Sequence, residues 1–277
     1  MKNRTHFPHI YLGVIMVFMY LPILFVMIYS FNGGRSAVLW TGFSLDWYRE
    51  LFRDSSIFDA LINSVVLATL SSLCAAVIGT LGAVGLSRVS LRSKGVVEYL
   101  STLPIMIPEI ILGMIFLVFF SLLGLPFGMT TLLIAHTAFC IPYVLMQVKA
   151  RLVGLDKSYV EAAKDLGAGE LRSFVDITFP LIRPAIVSGM LLSFAMSLDD
   201  VIISVFVTGS NVNTLPIKIY TQIKTGVTPK TNALCTLMFL ATLFLGLLSM
   251  FIGRSRKGSN KQPDATTNLN INEETGG

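Results

Sequence analysis

Three carboxylates sit inside stretches otherwise too apolar to hold a charge: Glu109, Asp199 and Asp200. A charged side chain at bilayer depth costs at least about 2.5 kcal/mol, which makes such groups candidates for function. No Lys or Arg shares their apolar stretches. The counter-charge must then come from a partner subunit, from protonation or from a transported cation. Around Asp200, residues Gly189, Ser193, Ser197, Asp200 and Ser204 recur at spacings of 4, 4, 3 and 4, drawing one small polar stripe down a helix. That stripe can line an aqueous path, or it can serve close packing of small residues between helices. Asp199 lies about 100° round from Asp200, so only one of them follows the stripe unless the helix is unwound there. Asp200 ranks first on this reading.

Glu109 has a different setting. Pro104 and Pro108 are four apart, and Pro108 can neither donate to the carbonyl of Pro104 nor avoid crowding it, so the helix is kinked or broken just before Glu109. Gly113, Phe116 and Phe120 continue the Glu109 face. A carboxylate beside aromatic rings suits an amine cation, through charge and through the ring quadrupole. The alternative is that Glu109 satisfies backbone groups freed by Pro108. A further stripe, His136, Cys140, Tyr143 and Gln147, reads first as interhelical hydrogen bonding. Its Tyr143 joins Phe116 and Ser197 among the candidates for a solute path. Too few ligands converge for a metal, and the three cysteines, Cys74, Cys140 and Cys235, show neither a disulfide framework nor a CxxC pair.

The elements that must position these groups are membrane spans. Of 277 residues, 53% are hydrophobic and 13% charged, against roughly 25% charged in a soluble domain. Six stretches reach the roughly 20 apolar residues a spanning helix needs, at 10–31, 61–86, 97–123, 130–150, 184–207 and 233–253. The expectation is an all-α polytopic membrane protein with six transmembrane helices. The first stretch is longer than a secretory core and is followed by no small-residue cleavage site, so it reads as a retained helix. With the N-terminus inside, 15 of the 21 basic residues fall on cytoplasmic segments, which places both termini in the cytoplasm. This distribution explains the net charge of +5 without nucleic acid. The division is then a cytoplasmic N-terminus at 1–9, a six-helix transmembrane domain at 10–253 and a tail at 254–277 that is too polar to fold alone and is expected to be disordered. Outside, Trp40, Phe43, Trp47 and Tyr48 suit the headgroup level, with a short amphipathic segment at 45–52.

Between the fourth and fifth stretches lies a cytoplasmic connection at 151–183, far longer than the usual 4 to 6 residues. Its first half puts Tyr159, Ala162, Ala163 and Leu166 on one small apolar stripe of a helix, with Glu161, Lys164 and Asp165 around the rest. Gly167 ends that helix, where glycine takes the left-handed conformation without penalty. A short helix with alanines at its centre can lie closely in a groove on another protein.

Glu161-Ala162-Ala163, then Gly167, Ile177 and Phe179-Pro180, resemble the EAA motif of ABC importer permeases, with Phe179 where that pattern has Leu. The resemblance implies a type I, MetI-like permease fold and a coupling helix, made by Tyr159, Glu161, Ala162, Ala163, Leu166, Gly167 and Pro180, that docks on a separate ATPase. No GxxxxGK[ST] phosphate loop occurs in the chain, so ATP and Mg belong to that partner, and the chain itself is no enzyme. Further blocks are similar to the second permease of spermidine/putrescine importers: Ser30-Phe31-Asn32, Trp47-Tyr48, His136-Thr137, Ser197-Leu198-Asp199-Asp200 and Leu215-Pro216-Ile217-Lys218. Where that family has Pro-Asp, this chain has Pro108-Glu109, which conserves charge. The resemblance implies a heterodimer with a second permease in the inner membrane of a bacterium, a paired ATPase, and an extracytoplasmic polyamine-binding protein. Two rivals remain: an importer of another small solute, and a secondary transporter that needs no ATPase. An anion carrier would show basic groups within the spans, and a membrane-embedded enzyme would pair a nucleophile with a base or carry an HExxH-type ligand set.

Overall fold

The computed structural model describes the backbone of residues 7–36, 39–88, 94–156 and 158–257 and side chains within 9–243 of these ranges. Helices dominate, and the described residues hold no strand beyond one isolated antiparallel bridge between Asn32 and Phe43. In chain order the helices are α1 (Phe7–Tyr29), α2 (Asp46–Arg53), α3 (Ser55–Arg88), α4 (Lys94–Met106), α5 (Glu109–Leu122) and α6 (Met129–Val153). They continue with α7 (Ser158–Asp165), α8 (Glu170–Ser173), a π-helical turn (Phe174–Thr178), α9 (Phe179–Asp199), α10 (Ile202–Val207), α11 (Leu215–Thr225) and α12 (Pro229–Lys257). Two compact units result, one from residues 1–51 with 227–277 and one from residues 52–226.

Among the described residues four helical runs are long and apolar enough to cross a membrane: His9–Tyr29, Ser55–Arg88, Met129–Val153 and Glu170–Asp199. A fifth is the pair Gly95–Met106 and Glu109–Leu122, bent by 105°. The stretch expected as one helix over 97–123 is therefore two. The cause is the proline pair, with Pro108 extended (φ −53°, ψ 132°) between them. The stretch expected over 184–207 is also divided, because Asp200 is extended (φ −68°, ψ 124°) after α9 ends. The long connection at 151–183 is mostly helical rather than open loop: α6 runs on to Val153, and α8, the π turn and α9 follow one another without a break. At the other end α12 continues through Lys257, so residues 254–257 are helical instead of part of a disordered tail. Residues 258–277 lie outside the described residues.

The first unit contains α1 and α12, which touch each other. Its loop is organised by Asn32, fully buried, whose side chain donates to Ser36 O (2.8 Å) and Leu39 O (2.7 Å) and accepts from Thr41 N (2.8 Å). Trp47 Nε1 donates to Asn32 O at 2.9 Å, and the Phe31 ring stacks on Phe43 at 5.4 Å. The short amphipathic segment expected at 45–52 forms the helix α2.

The core of the second unit is where α3, α6 and α9 pack together. Small residues permit the approach. A Cβ on Gly189 would stand 2.8 Å from Val144 Cα, and one on Gly79 would stand 2.9 Å from Val144 Cβ. Two backbones therefore close on one valine of a third helix, the arrangement favoured where packing and not hydrophobic exclusion joins helices.

Candidate functional site: two helix breaks and an exposed coupling helix

At the break between α9 and α10, the Asp200 carboxylate takes up backbone groups that the interruption would orphan. Oδ1 accepts from Ile203 N at 3.2 Å, and Oδ2 accepts from Ser204 N at 2.8 Å and from the Ser204 hydroxyl at 2.7 Å. This is a helix cap supplied by a charged group, favoured by the partial positive charge at a helix N-terminus. His136 on α6 completes the cluster. Its Nε2 lies 2.9 Å from Ser204 Oγ and 3.4 Å from Asp200 Oδ2, and its Nδ1 lies 2.7 Å from Ser197 Oγ. Ser197 in turn meets Ser71 of α3 at 3.0 Å. Since the Ser204 proton points at Asp200, Nε2 must carry a hydrogen to bond Ser204. Every member is buried.

The stripe of small polar residues on α9 therefore faces α6. Gly189 sits on Val144, and Ser193 and Cys140 exchange contacts with each other's carbonyls at 3.2 and 3.4 Å. Of the two readings open from sequence, close packing describes how these residues are placed. Ser197 and Asp200 lie within the packed unit, whereas Asp199 is exposed. The helix is unwound at Asp200, and its carboxylate is turned inward to cap α10.

Glu109 opens α5 and is exposed. It lies within electrostatic reach of the half-buried Tyr143 on α6. Phe116, one face on, is half-buried and stacks on the buried Phe120 at 5.7 Å. The position of α5 depends on α10: a Cβ on Gly113 would stand 2.6 Å from the Phe206 ring, so the two helices are in close contact at that glycine. Thr131 of α6 holds the other end of α10, with Oγ1 2.8 Å from Val207 O. The Asp200 cap thus fixes α10, α10 fixes α5, and α5 carries Glu109.

Remote from both breaks in sequence, α7 follows the expected pattern. Asp156 Oδ1 accepts from Ser158 N at 2.9 Å at its start, and this bond holds the Asp156 carboxyl below the usual range. At its end Gly167 is left-handed (φ +84°); Gly167 N donates to Lys164 O and Ala168 N to Ala163 O, both at 2.9 Å. Those two bonds form a complete Schellman closure. Ala163 is buried, while Tyr159, Glu161, Ala162 and Leu166 are exposed, Leu166 at 90%. Beneath the closure lies a half-open cavity of about 270 Å³, between Leu166, Gly167 and Ala168 on one side and Arg172, Ser173 and Asp176 on the other. Pro180 stands exposed in the first turn of α9, beyond the π turn.

Two contacts here carry no sequence signature. Glu170 accepts from Lys164 Nζ and, at 3.1 Å, from Arg88 Nη1 at the end of α3. Arg88 also covers the Phe174 ring, 5.4 Å from its centroid. Among the described residues no group of three or more His, Cys, Asp or Glu is placed to hold a metal.

The chain is 40% identical over 252 residues to the spermidine/putrescine transport system permease protein PotC of Haemophilus influenzae, covering 91% of this chain and 98% of that one. It is 40% identical over 242 residues to the putrescine transport system permease protein PotI of Escherichia coli, covering 85% and 86%. A chain of a bacterial ABC transporter involved in import of the acidic polysaccharide alginate superposes with a TM-score of 0.69 over 92% of this chain and 98% of that chain. At 14% identity this likeness concerns the fold. The all-helical importer-permease architecture expected from sequence is therefore present, in a multi-pass membrane protein. Residues 75–257 match the family described as the binding-protein-dependent transport system inner membrane component, and the chain belongs to it.

Proposed function

We propose that this chain is the polyamine-translocating permease subunit of an ATP-driven importer. The observation that carries the reading is the pair of exposed carboxylates at two helix breaks, Glu109 and Asp199, in a chain whose relatives are named for spermidine and putrescine. Neither carboxylate makes an ion pair among the described residues. Broken helices at membrane depth are tolerated where they border a cavity or protein, and they commonly form transporter sites. A di- or triammonium chain would pass between these carboxylates, with Phe116 and Tyr143 offering ring faces and a hydroxyl. Ser197 and Asp200 serve the path from behind, by holding the break open.

Energy enters through α7. Its exposed Tyr159, Ala162 and Leu166 form an apolar face that nothing among the described residues covers, and it would seat in the ATPase partner, which supplies ATP and Mg. The remaining apolar surface, that of α1 above all, faces lipid and a second permease. Six spans, with the bent pair counted once and α12 as the sixth, put both termini on the side of the 15 basic residues. An extracytoplasmic binding protein delivers the solute to the opposite side, and the membrane is the bacterial inner membrane.

The test is uptake of labelled spermidine and putrescine by the assembled transporter in proteoliposomes. Glu109→Gln and Asp199→Asn each remove a hydrogen bond between charged groups worth about 1.5–3 kcal/mol, an expected loss of about 10- to 100-fold in solute affinity, with assembly intact. Wild-type uptake by both variants would remove the carboxylates from the path. Uptake of another solute in preference, or uptake without the ATPase, would replace the polyamine importer by one of its rivals.

A further inference from the structure

The joint between α7 and α8 is short and rich in glycine. Only Leu166, Gly167, Ala168 and Gly169 connect them, and two of these four residues are glycines, the residue with the greatest backbone freedom. A push on α7 would be absorbed by such an elbow before it reached the long helical run that begins at Glu170. Among the described residues one ion pair crosses the elbow. Glu170, the first residue of α8, takes Lys164 of α7 on one carboxylate oxygen and Arg88 of α3 on the other. The Arg88 guanidinium is in turn laid over Phe174 in the π turn. The same α3 packs along α6 and α9 and carries Ser71 to the buried cluster at Ser197 and His136.

We propose that Glu170 is a positioning residue for energy coupling: it braces the glycine elbow through Lys164 and is anchored to the end of α3 by Arg88. Movement of α7 is then delivered to α3 and α9 as a rigid displacement. The proposal rests on the reading of α7 as the ATPase-docking helix. These ion pairs are exposed, and exposed pairs contribute little to stability. Their effect therefore shows in transmission and not in folding.

The experiment measures ATP hydrolysed per polyamine imported by the assembled transporter in proteoliposomes, for Glu170→Gln, Arg88→Gln, the double variant, Arg88→Lys and Gly167→Val. Glu170→Gln and Arg88→Gln are each expected to raise that ratio several-fold while the ATPase co-purifies in normal amount. The double variant is expected to be no worse than either single one, because residues acting through one another are non-additive. Arg88→Lys keeps the charge and retains most of the coupling. An unchanged ratio, a parallel fall of uptake and hydrolysis, or additive effects would overturn the brace. Gly167→Val separates the two levels: if it uncouples while Glu170→Gln does not, only the brace fails. If Gly167→Val also leaves the ratio unchanged, α7 is not the coupling helix and the brace falls with it.

Discussion

His136 Nε2 stands 3.4 Å from Asp200 Oδ2, with the Ser204 hydroxyl joined to both, wholly inside the packed second unit. The pair links α6 to the start of α10 at the one place where the α9 helix is interrupted. It also shows what partner one membrane carboxylate has: an imidazole on a neighbouring helix.

Removal of the Asp200 side chain is expected to destabilise the protein more than its conversion to an amide. Asp200→Ala leaves two backbone N–H groups and His136 without their acceptor, at about 1–3 kcal/mol per buried unsatisfied group. Asp200→Asn keeps an acceptor for the cap and loses less. Thermal unfolding of the detergent-solubilised complex should rank wild type above Asp200→Asn above Asp200→Ala; the reverse order of the two variants would deny the capping role.

Two glycines that both make close approaches should respond differently to a second-site change. At Gly113 the obstacle to a Cβ is the Phe206 ring, so Gly113→Ala should be relieved by Phe206→Leu. At Gly189 the obstacle is Val144 Cα, which no side-chain change removes, so Gly189→Ala should stay destabilised, by about 1–3 kcal/mol, even with Val144→Ala. Melting temperatures of the four variants decide the matter, and rescue at Gly189 would contradict the backbone contact.

Gly167→Ala tests the left-handed turn apart from any docking. At φ +84° an L-residue costs roughly 1–2 kcal/mol, so the Schellman closure should fray. Faster amide exchange at Gly167 and Ala168 than in wild type is the expected result, with exchange within α6 unaltered.

A pH dependence follows from Glu170. Lys164, by hydrogen bond and charge, and then Arg88 hold its carboxyl below the ordinary value of 4.5. A lowered folded-state value means that the brace is fully present above the ordinary value and is lost as pH falls through the lowered one. The ratio of ATP hydrolysed to solute imported should therefore be flat between about pH 6 and pH 8, and a slope there would assign control to another group.

Local features were legible in the sequence because local rules produce them. The α7 stripe and its closing Gly167 follow from helix periodicity and the left-handed C-terminal residue, and the break before Glu109 follows from Pro108. The condition attached to Asp199 and Asp200, an unwound helix, is the one the chain adopts. What escaped the sequence is pairing across distance. Asp200 meets a histidine 64 positions earlier, and Glu170 meets an arginine 82 positions earlier; no spacing rule reaches that far. The stripe on α9 looked equally suited to water and to another helix, because serine and glycine are small in both settings. The position of Val144 against Gly189 and the contacts between Ser193 and Cys140 separate them.

The π turn at Phe174–Thr178 gives the run from Glu170 to Asp199 a slip in phase. Phe179 N reaches back five residues to Phe174 O, one more than an α-helix allows, which inserts one residue and so rotates everything beyond it by about 100° relative to an unbroken helix. The face that presents Glu170 to Arg88 and the face that presents Ser193 and Ser197 to α6 are thereby clocked independently, although one backbone carries both. A single deletion within 174–178 would remove the extra residue and leave an ordinary helix with the serines still facing His136, whereas closing the present sequence into an unbroken α-helix would turn them away.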